Sequence, residues 1–585
     1  MPPFITITSP KNNNKHKRVA LFGGSLSFYI SLTYTSNCAI IMTRFDYPFY
    51  FFGRNTMGNI LLCGVSALEY DIKCGASPAE EYAGEIMRRW LETITGDKMV
   101  GGKGVIDLHI EDDINDEEGY SITNTSGKLA IIGHGPRGIL YGVYGFLEKY
   151  LLVRHYAPGV TSWGDGGTIG ELDESFSPIF EYRQDSFYLG EDDLEWRIAN
   201  RVNTHKSEDP RHGGYMKWAG KFVHTMENIT GCPQSQQPCL TDPEVIQKAI
   251  QYTRDWLKKD PSIRLVSISQ NDNEKYCKCE RCAAIDAEEG SHMATLLRLV
   301  NAVAADIKDD YPEVAIETLA YRYTRNVPKY TKPLPNVIIR LCSFECCFTH
   351  PLSWDACSRN RAYVKDLEEW NRVCDRIYIW DYVTNFANYL APYPNFNVLR
   401  DNMRFYAKHS VKGMYPEGNY QSMSGEFAEL RAYMLAKLAW EPMMAESTYQ
   451  LLINGFLEAY YGKGWRNIRA FLDWFNGAAK ARHINIYERP FQTVPREMYE
   501  VVYDAIESWW DAAERDAGDK LDNVKRSRLQ WTYVSLMVRP DAEKARAFYK
   551  DVNDRGIYWK EEQHYLPEEQ DFTKNPAEWV FKKQS

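Results

Sequence analysis

The sequence predicts an α/β protein whose centre is a (β/α)8 TIM-like barrel, with a small N-terminal α/β domain and a C-terminal helical domain. Three observations predict this architecture. Between residues 178 and 425, short apolar strands, polar tips and amphipathic helices alternate, as in a parallel barrel. Residues 57–177 mix strands with helices, and the apolar residues of 426–585 follow helical spacing.

Residues 1–56 are predicted to lie outside this fold, as an unstructured or mis-assigned leader, with Met57 as the start of the functional protein. Lys15 to Arg18 is basic and residues 19–42 are largely apolar, but polar side chains and two glycines interrupt the apolar stretch. Neither a clean signal peptide nor a membrane span is predicted. We therefore expect a cytoplasmic protein without stable membrane insertion, whereas a genuine leader would make it secreted or membrane-anchored.

The N-terminal domain should begin with an amphipathic helix over residues 78–95, because the apolar residues share one face and Gly96 follows them. Two strands, 120–123 and 128–132, flank a turn of the hairpin type. A helix packed through small residues should then span residues 138–148.

The barrel requires eight strands, and eight short segments fit. They are residues 180–187, 201–204, 221–225, 264–269, 315–321, 337–344, 376–380 and 413–415. The longest helices between them are predicted at residues 243–259, 292–309 and 364–371. In the C-terminal domain, helices are predicted at residues 433–440, 448–460 and 500–514.

Composition excludes several classes of function. The net charge of −10 argues against a nucleic-acid partner, and the glycine-rich stretches lack the spacing of a phosphate-binding loop. A hydrophobic content of 44% is typical of a globular core and excludes wholesale disorder. The 13 cysteines, an odd number, fit a reduced compartment better than a disulfide framework. The 16 Trp and 39 Tyr suit carbohydrate binding, although large cores also use aromatic residues.

The stretch 267–282 carries the densest functional signal. A buried strand ends there, and Gln270, Asn271 and Asp272 follow it directly. In parallel α/β proteins the carboxyl ends of the strands form the rim where substrates bind. A Cys-x-Cys-x-x-Cys motif comes next, and then a helix over about residues 283–307.

Five motifs in this chain resemble domain-of-unknown-function family 4838, and the likeness runs from about Glu80 to about Tyr461. That family overlaps glycoside hydrolase family 163, whose characterised activity is endo-β-N-acetylglucosaminidase action on complex N-glycans. The motifs are Ser269-Gln-Asn-Asp-Asn273, Tyr276-Cys-Lys-Cys-Glu-Arg-Cys282, Asn336-Val-Ile-Ile-Arg-Leu-Cys342, Ile379-Trp-Asp-Tyr-Val-Thr-Asn-Phe386 and Gly418-Asn-Tyr-Gln421.

The resemblance implies a glycosidase that acts on a carbohydrate substrate containing β-linked N-acetylhexosamine, with substrate-assisted retention and no catalytic cofactor. The N-terminal domain is similar to the small α/β domain that precedes the barrel in several glycosidase families. A non-catalytic carbohydrate-binding barrel is the first alternative. An α-glucuronidase-type hydrolase is the second, and Arg183, Arg322 and Arg340 could then bind the uronic acid. Linkage, endo or exo action and oligomeric state stay open.

Four acidic residues fall at predicted strand ends: Asp272, Glu345, Asp381 and Glu417. Glycoside hydrolysis needs one protonated carboxyl and a second group that stabilises developing positive charge. Glu345 and Glu417 have apolar neighbours in the sequence, which would raise the carboxyl pKa. Gly418 favours Glu417 as the acid, because a glycine permits close approach of a ligand to the backbone. Asp272 and Asp381 are then the polarising carboxylates. A single strand-end acid is more often a cap or a salt-bridge partner.

Several further side chains at the strand ends are candidates for substrate contact: Asn271, His224, Trp380, Tyr382, Tyr321 and, for a uronic acid, Arg183. Asn271 beside Asp272 could grip an acetamido group. Trp380 could equally stack on a sugar or pack between the barrel and its helices. His224 could donate a hydrogen bond to a sugar hydroxyl, although a buried histidine whose hydrogen bonds are made within the core is the more common case.

Four cysteines form a candidate structural zinc set: Cys239, Cys277, Cys279 and Cys282. Four thiolates suit tetrahedral zinc, although this spacing is tighter than that of common zinc ribbons. Buried free thiols, or a disulfide in an exported protein, are the alternatives.

Overall fold

The computed structural model describes residues 17–23, 26–35, 38–44 and 58–565 apart from 114–115, 185, 190–193 and 563. The chain divides into two compact units, Met1–Phe52 and Gly53–Ser585. In the first, three strands pair antiparallel in chain order. The strands are Lys17–Gly23, Leu26–Thr35 and Cys38–Arg44. Among the described residues, no helix is long and apolar enough to cross a membrane.

The N-terminal part of the second unit contains a five-stranded sheet. Its strand order is Leu172–Phe176, Tyr120–Thr125, Lys128–Gly133, Gly104–Ile110, Tyr70–Cys74. The predicted helix is confirmed as Pro78–Thr95. Ser77 and Glu80 form a capping box at its start, and Gly96 ends it at φ 80°. A second helix, Pro136–Tyr150, packs on the sheet.

Seven parallel strands form the curled central sheet. In spatial order they are Tyr182–Arg183, Gly413–Glu417, Ile377–Tyr382, Val337–Cys342, Ala315–Ala320, Leu265–Ser267 and Trp218–Ala219. The connecting helices include Pro243–Lys259, Glu280–Glu289, Met293–Ile307, Ser358–Asn371 and Phe396–Lys408. The barrel-like layout was predicted, and five of the strands lie within two residues of their predicted bounds at each end.

The strand predicted at residues 201–204 is not formed in the described chain. Arg201 has φ 58°, which is incompatible with strand pairing. Instead Asn203 donates its N–H to the carbonyl of Arg183 at 3.1 Å and accepts from the N–H of Met216 at 2.8 Å. These single bonds lie between the two edge strands, in place of an eighth strand.

Two further predictions of secondary structure were wrong. Residues 221–225 form no strand, because His224 has φ 54° and its N–H donates to the Ser269 hydroxyl at 2.8 Å. The helix predicted over 283–307 is two helices, since Gly290 at φ 64° ends the first in the left-handed region.

An ion pair fills the interior of the curled sheet. Arg340 is fully buried, and its Nε and Nη2 donate to the two Glu317 carboxylate oxygens at 2.9 and 2.5 Å. The guanidinium carbon lies 4.9–5.7 Å from the centres of four aromatic rings: Tyr182, Phe222, Tyr378 and Tyr415. This buried ion pair fills the barrel interior beneath the strand ends.

Helices dominate the chain after residue 426. They are Ala428–Trp440, Glu446–Tyr461, Trp465–Ala479, Pro490–Thr493, Arg496–Asp516, Leu521–Val538 and Ala542–Asp554. Two segments return to the strand ends. Phe386 donates its N–H to Ile486 at 2.8 Å and accepts from the N–H of Glu562 at 3.0 Å. The loop 480–489 and the hairpin Trp559–Glu561/His564–Tyr565 therefore reach the rim of the barrel.

Candidate active site

Glu417 is the last residue of its strand and lies at the carboxyl end of the parallel sheet. Its side chain is buried, and the Trp380 indole Nε1–H donates to Oε2 at 2.8 Å. Burial raises the pKa of Glu417 to about 8; the Trp380 hydrogen bond opposes this, and the negative charge of Glu562 adds to it. A buried carboxyl of this kind holds its proton near neutral pH.

Strand register explains which side chains surround Glu417. In the parallel pairing, Tyr382 lies opposite Glu417 and Trp380 opposite Tyr415, so all four face the same side. Gly418 is required by packing, because a Cβ there would lie 2.3 Å from the Phe187 ring. The space beside Gly418 is therefore taken by the Phe187 ring.

The space around Glu417 at the strand ends is called the cleft below, and aromatic rings lie on two sides of it. Trp380 is stacked with Tyr382 at 6.3 Å between ring centres and meets Tyr415 edge-on at 4.7 Å. On the other side, Phe344 lies 6.4 Å from Tyr382 and 5.1 Å from Tyr321. The cleft thus presents apolar faces around one buried acid, an arrangement that suits the C–H faces of a sugar.

His224 adjoins this wall, 6.2 Å from Tyr321 between ring centres. Its Nδ1 lies 2.7 Å from the carbonyl oxygen of Gln270, which can only accept, so Nδ1 carries the proton. Burial lowers the pKa of His224, while the Gln270 contact raises it. The neutral ring therefore has Nε2 available as an acceptor.

Asp272 lies at the rim with 51% of its side chain exposed. Arg322 approaches it, with Nε 3.6 Å from Oδ1, and also pairs with Glu274 at 3.6 Å. The Arg322 guanidinium covers the Tyr321 ring at 5.1 Å. A hydrated carboxylate beside a cation is thus placed at the mouth of the cleft.

Asn271 does not reach the cleft as predicted. Its Nδ2 donates to three carbonyl oxygens, and its Oδ1 accepts from the Glu227 N–H at 3.1 Å. The carbonyls belong to Cys232, Pro233 and Gln236 and lie 2.9–3.2 Å away. The amide is committed to holding the loop 227–237, so its proposed grip on an acetamido group is wrong.

Asp381 and Glu417 do not converge. Side chains alternate along a strand, and Asp381 lies between Trp380 and Tyr382, so it points away from the cleft toward the helix Phe396–Lys408. Burial raises the pKa of Asp381 to about 6, opposed by the Ser343 hydroxyl, which donates to it at 2.6 Å. Asp381 is therefore a buried structural acid.

Glu345 and Arg183 are also placed elsewhere. Glu345 is 48% exposed and forms an ion pair with Arg325, so the predicted apolar neighbourhood is wrong. Arg183 is buried beside Glu118, with Nη2 2.6 Å from Oε2, and its guanidinium lies 5.1 Å from the Trp440 ring centre. It joins the barrel to the N-terminal layer and does not face the cleft.

A family model, "Domain of unknown function (DUF4838)", matches residues 168–473 of this chain. That is 306 of 585 residues, more than half of the sequence. The chain belongs to the DUF4838 family. The resemblance drawn from the five motifs is thereby confirmed. No curated protein sequence matches this DUF4838 chain.

Among solved structures, the DUF4838 chain is similar to a GH138 enzyme described as targeting pectin rhamnogalacturonan II. The TM-score is 0.52 at 10% identity, over 83% of this chain and 72% of that one. CpGH84B gives a TM-score of 0.42 at 12% identity, over 88% and 92%. A family 89 glycoside hydrolase from Clostridium perfringens gives 0.44 at 12% identity, over 82% and 64%. At this identity the likeness to the GH138 enzyme establishes a shared fold.

Two residues of the DUF4838 cleft were missed by the sequence reasoning. Tyr487 comes from the loop 480–489 and Glu562 from the C-terminal hairpin. The charges of Glu562, Glu417, Arg322 and Asp272 all act on the Tyr487 hydroxyl. Phe386 bonds to the backbone of Ile486, next to Tyr487, and to that of Glu562, which brings both residues to the rim. Nothing in the local sequence signals either residue, because their neighbours in space lie far away in the chain.

The four cysteines predicted to bind zinc lie together in the DUF4838 structure. Their Sγ atoms are all within 4.8 Å of one another. The Sγ of Cys239 is 3.7 Å from that of Cys279 and 3.8 Å from that of Cys282. Zinc–sulfur bonds of ~2.3 Å in a tetrahedron give sulfur–sulfur edges of about 3.8 Å. The thiols therefore fit a structural zinc ion, which we propose here.

Changing Cys279 to Ser should remove about one zinc ion per chain and lower the melting temperature, because a closed tetrahedral site loses one thiolate. Metal analysis and thermal unfolding check this. Cys374→Ser, a buried thiol outside the group, is the control. Unchanged metal content in Cys279→Ser would show that these thiols bind no metal.

Proposed function

We propose that this DUF4838 protein is a glycoside hydrolase with Glu417 as its general acid. The observation that carries the proposal is a buried carboxyl, with a pKa of about 8, at the end of a parallel strand in an aromatic cleft. Substrate sites of barrel enzymes lie at this end of the sheet. An acid of this pKa is suited to protonating a leaving oxygen at neutral pH.

The proton transfer follows from the geometry of Glu417. With a pKa near 8, roughly 90% of the side chains are protonated at pH 7. Oε2 accepts from the Trp380 indole, so Oε1 can carry the proton. As the glycosidic C–O bond breaks, this proton passes to the leaving oxygen, which departs as a hydroxyl and not as an alkoxide. Trp380 N–H then stabilises the carboxylate that is left.

We propose that the second catalytic function comes from the substrate, a glycan with β-linked N-acetylhexosamine cleaved in the manner of an endo-β-N-acetylglucosaminidase. Its 2-acetamido carbonyl oxygen would attack the anomeric carbon, and water would open the cyclic intermediate with net retention. Asp272 would orient the acetamido N–H. In support, Glu417 is the only one of the four strand-end acids that is both buried and turned to the cleft, while Asp272 lies at its mouth.

The structure weighs against the uronic-acid alternative. Two of the three arginines considered for it, Arg183 and Arg340, are buried in ion pairs with Glu118 and Glu317. Only Arg322 of these three lies at the cleft, and it contacts Asp272 and Glu274. A paired cationic clamp for a sugar carboxylate is therefore not formed by these residues.

An activity screen tests the proposal. The full chain should hydrolyse N-glycans or aryl N-acetylhexosaminides, Glu345→Gln should retain this activity, and Glu417→Gln should lose it on natural glycans. Glu345 is the matched control because it is also a strand-end glutamate but is exposed and paired with Arg325. Glycan binding without hydrolysis by the wild type would support the non-catalytic alternative. Cleavage of glucuronides alone would support the uronidase.

Changing Asp272 to Asn should lower kcat on acetamido substrates by roughly 10²-fold with little change in KM, since a carboxylate that polarises the acetamide acts in the transition state. A thiazoline mimic of the cyclised intermediate should inhibit the wild type, and NMR of early products should show retention. Glu274→Gln, the other Arg322 partner, is the control. Inversion, or equal activity on sugars without the acetamido group, would contradict this mechanism.

The alkaline limb of the pH profile of kcat/KM should lie near pH 8, because activity is lost as Glu417 ionises. Trp380→Phe removes a bond that stabilises the carboxylate, so the limb should move to higher pH. Glu562→Gln removes a neighbouring negative charge, so the limb should move to lower pH. Glu345→Gln should leave it in place. If the alkaline limb moved in neither Trp380→Phe nor Glu562→Gln, a group other than Glu417 would control the rate.

A further inference from the structure

A second group of metal-ligand side chains lies outside the cleft. Cys347, His350, Cys357 and His483 place one ligand atom each within 4.8 Å of one another. The first three are buried in the segment after the strand Val337–Cys342, whereas His483 is exposed and belongs to the loop 480–489. The group therefore joins the barrel to the helical part of the chain across 126 positions, from Cys357 to His483.

We propose that these four side chains bind a zinc ion in a closed site of two cysteines and two histidines. Cys347 Sγ lies 3.2 Å from His350 Nδ1, and Cys357 Sγ lies 3.4 Å from His483 Nδ1. In a tetrahedral site with Zn–S of ~2.3 Å and Zn–N of ~2.05 Å, the sulfur–nitrogen edge is about 3.5 Å. Both measured distances lie close to that edge. Two thiolates and two imidazoles are a donor set that zinc commonly takes in structural sites.

The ring orientation of His350 supports the same assignment. Its Nε2 lies 2.8 Å from the carbonyl oxygen of Lys480, which can only accept a hydrogen bond. Nε2 therefore carries the proton, and the lone pair of Nδ1 points to the group. Metal-bound histidines typically donate their second ring N–H in this way, which fixes the tautomer.

The backbone around the first two ligands is held rigidly. Asn360 is fully buried, accepts from the Cys347 N–H at 2.8 Å, and donates to the carbonyls of Cys347 and His350 at 3.2 and 2.9 Å. A preformed pair of ligands reduces the entropy lost on binding the ion. Cys347 and His350 are thus held in place by the barrel segment itself, and the exposed His483 completes the site from the loop 480–489.

The site would anchor the loop that reaches the cleft. Phe348 donates its N–H to Ile484 at 2.9 Å, and the Thr349 hydroxyl donates to the Arg482 carbonyl, so this segment pairs with the loop 480–489. Tyr487, four residues after His483, lies within electrostatic reach of Glu417. Zinc would therefore fix the position of Tyr487 relative to the barrel.

X-ray absorption at the zinc edge and metal analysis test the inference on the full chain. Wild type should contain about two zinc ions, with an average shell of roughly three sulfurs and one nitrogen, because the four-thiolate site and the mixed thiolate–imidazole site contribute equally. In Cys279→Ser, which lacks the first site, about one zinc should remain with two sulfurs at ~2.3 Å and two nitrogens at ~2.0 Å. A sulfur-only shell in wild type, or no zinc in a folded Cys279→Ser protein, would overturn the proposal.

His483→Ala gives a second readout that does not depend on folding, because His483 is exposed. Zinc release to a competing chelator should be at least ~10-fold faster for one of the two ions, since a lost ligand weakens a metal site by about that factor or more. His109→Ala, a partly exposed histidine of the N-terminal layer, should release zinc as the wild type does. Unchanged release in His483→Ala, or a Cys347–Cys357 disulfide found by mass spectrometry of native protein, would refute the site.

Discussion

Glu417→Gln should lower the hydrolysis rate about 10²–10⁴-fold for substrates with poor leaving groups, and far less for activated aryl glycosides. Gln has nearly the same shape as protonated Glu, and its carbonyl can accept from the Trp380 indole as Glu417 does. It cannot release a proton to the leaving oxygen. The expected loss corresponds to about 3–5 kcal/mol of transition-state stabilisation.

A series of aryl glycosides with leaving groups of increasing pKa would measure this effect. The dependence of kcat/KM on leaving-group pKa should be steep in Glu417→Gln and shallow in the wild type, because only the wild type protonates the departing oxygen. Glu345→Gln should behave as the wild type. A Glu417→Gln protein with normal turnover on a natural glycan would remove Glu417 from the mechanism.

The same variant offers a readout that needs no substrate. The pKa of Glu417 is about 8 in the folded protein and about 4.3 in an unfolded chain. The folded state binds this proton more tightly, so the stabilisation that protonation gives is complete below about pH 4.3 and is lost as pH rises through 8. Glu417→Gln has no such proton, so its stability relative to wild type should rise steadily over that window. A constant difference between pH 5 and 9 would show that the acid is not buried as described.

The sequence indicated the position of Glu417 correctly because strand ends and polar tips are local features. The apolar run at 413–415 and the acid after it place a carboxyl at the sheet edge whatever the rest of the fold does. Local pattern could not tell which face the acid occupies. Asp381 also falls at a strand end, but its neighbours Trp380 and Tyr382 take the cleft side, so Asp381 points outward.

Partners distant in sequence decided the remaining assignments. Glu345 has phenylalanine neighbours in the chain, yet Arg325, twenty positions earlier, neutralises it. Asn271 is turned from the substrate by carbonyls of the loop 227–237. Tyr487 and Glu562 reach the rim from the part of the chain after residue 426, where the sequence shows only amphipathic helices. The polarity of the site is therefore set by distant elements, and the periodicity of the sequence does not reveal where those elements pack.

Glu317→Gln should destabilise the fold by about 3–5 kcal/mol, because it leaves the Arg340 guanidinium buried without its counter-ion. Arg340 is fully buried, and two parallel hydrogen bonds of 2.9 and 2.5 Å join it to Glu317. Aromatic faces surround the remainder of the guanidinium and offer weaker stabilisation than a carboxylate. The charge cannot escape to water through a packed interior, so the variant bears the desolvation cost in full.

Urea unfolding of Glu317→Gln, Arg340→Met and the double variant would measure the coupling between the two side chains. The double variant should lose less stability than the sum of the single variants, because removing both charges removes the desolvation cost along with the attraction. Arg322→Met is the matched control. Its ion pair with Asp272 spans 3.6 Å between side chains 36% and 51% exposed, so it should change stability by only ~0–1 kcal/mol. If Glu317→Gln also stayed within ~1 kcal/mol of wild type, water or structural relaxation would have to reach the barrel interior. The barrel interior beneath Glu417 would then be too hydrated to keep the pKa of that acid near 8. The alkaline limb of the pH profile of hydrolysis would shift together with that pKa.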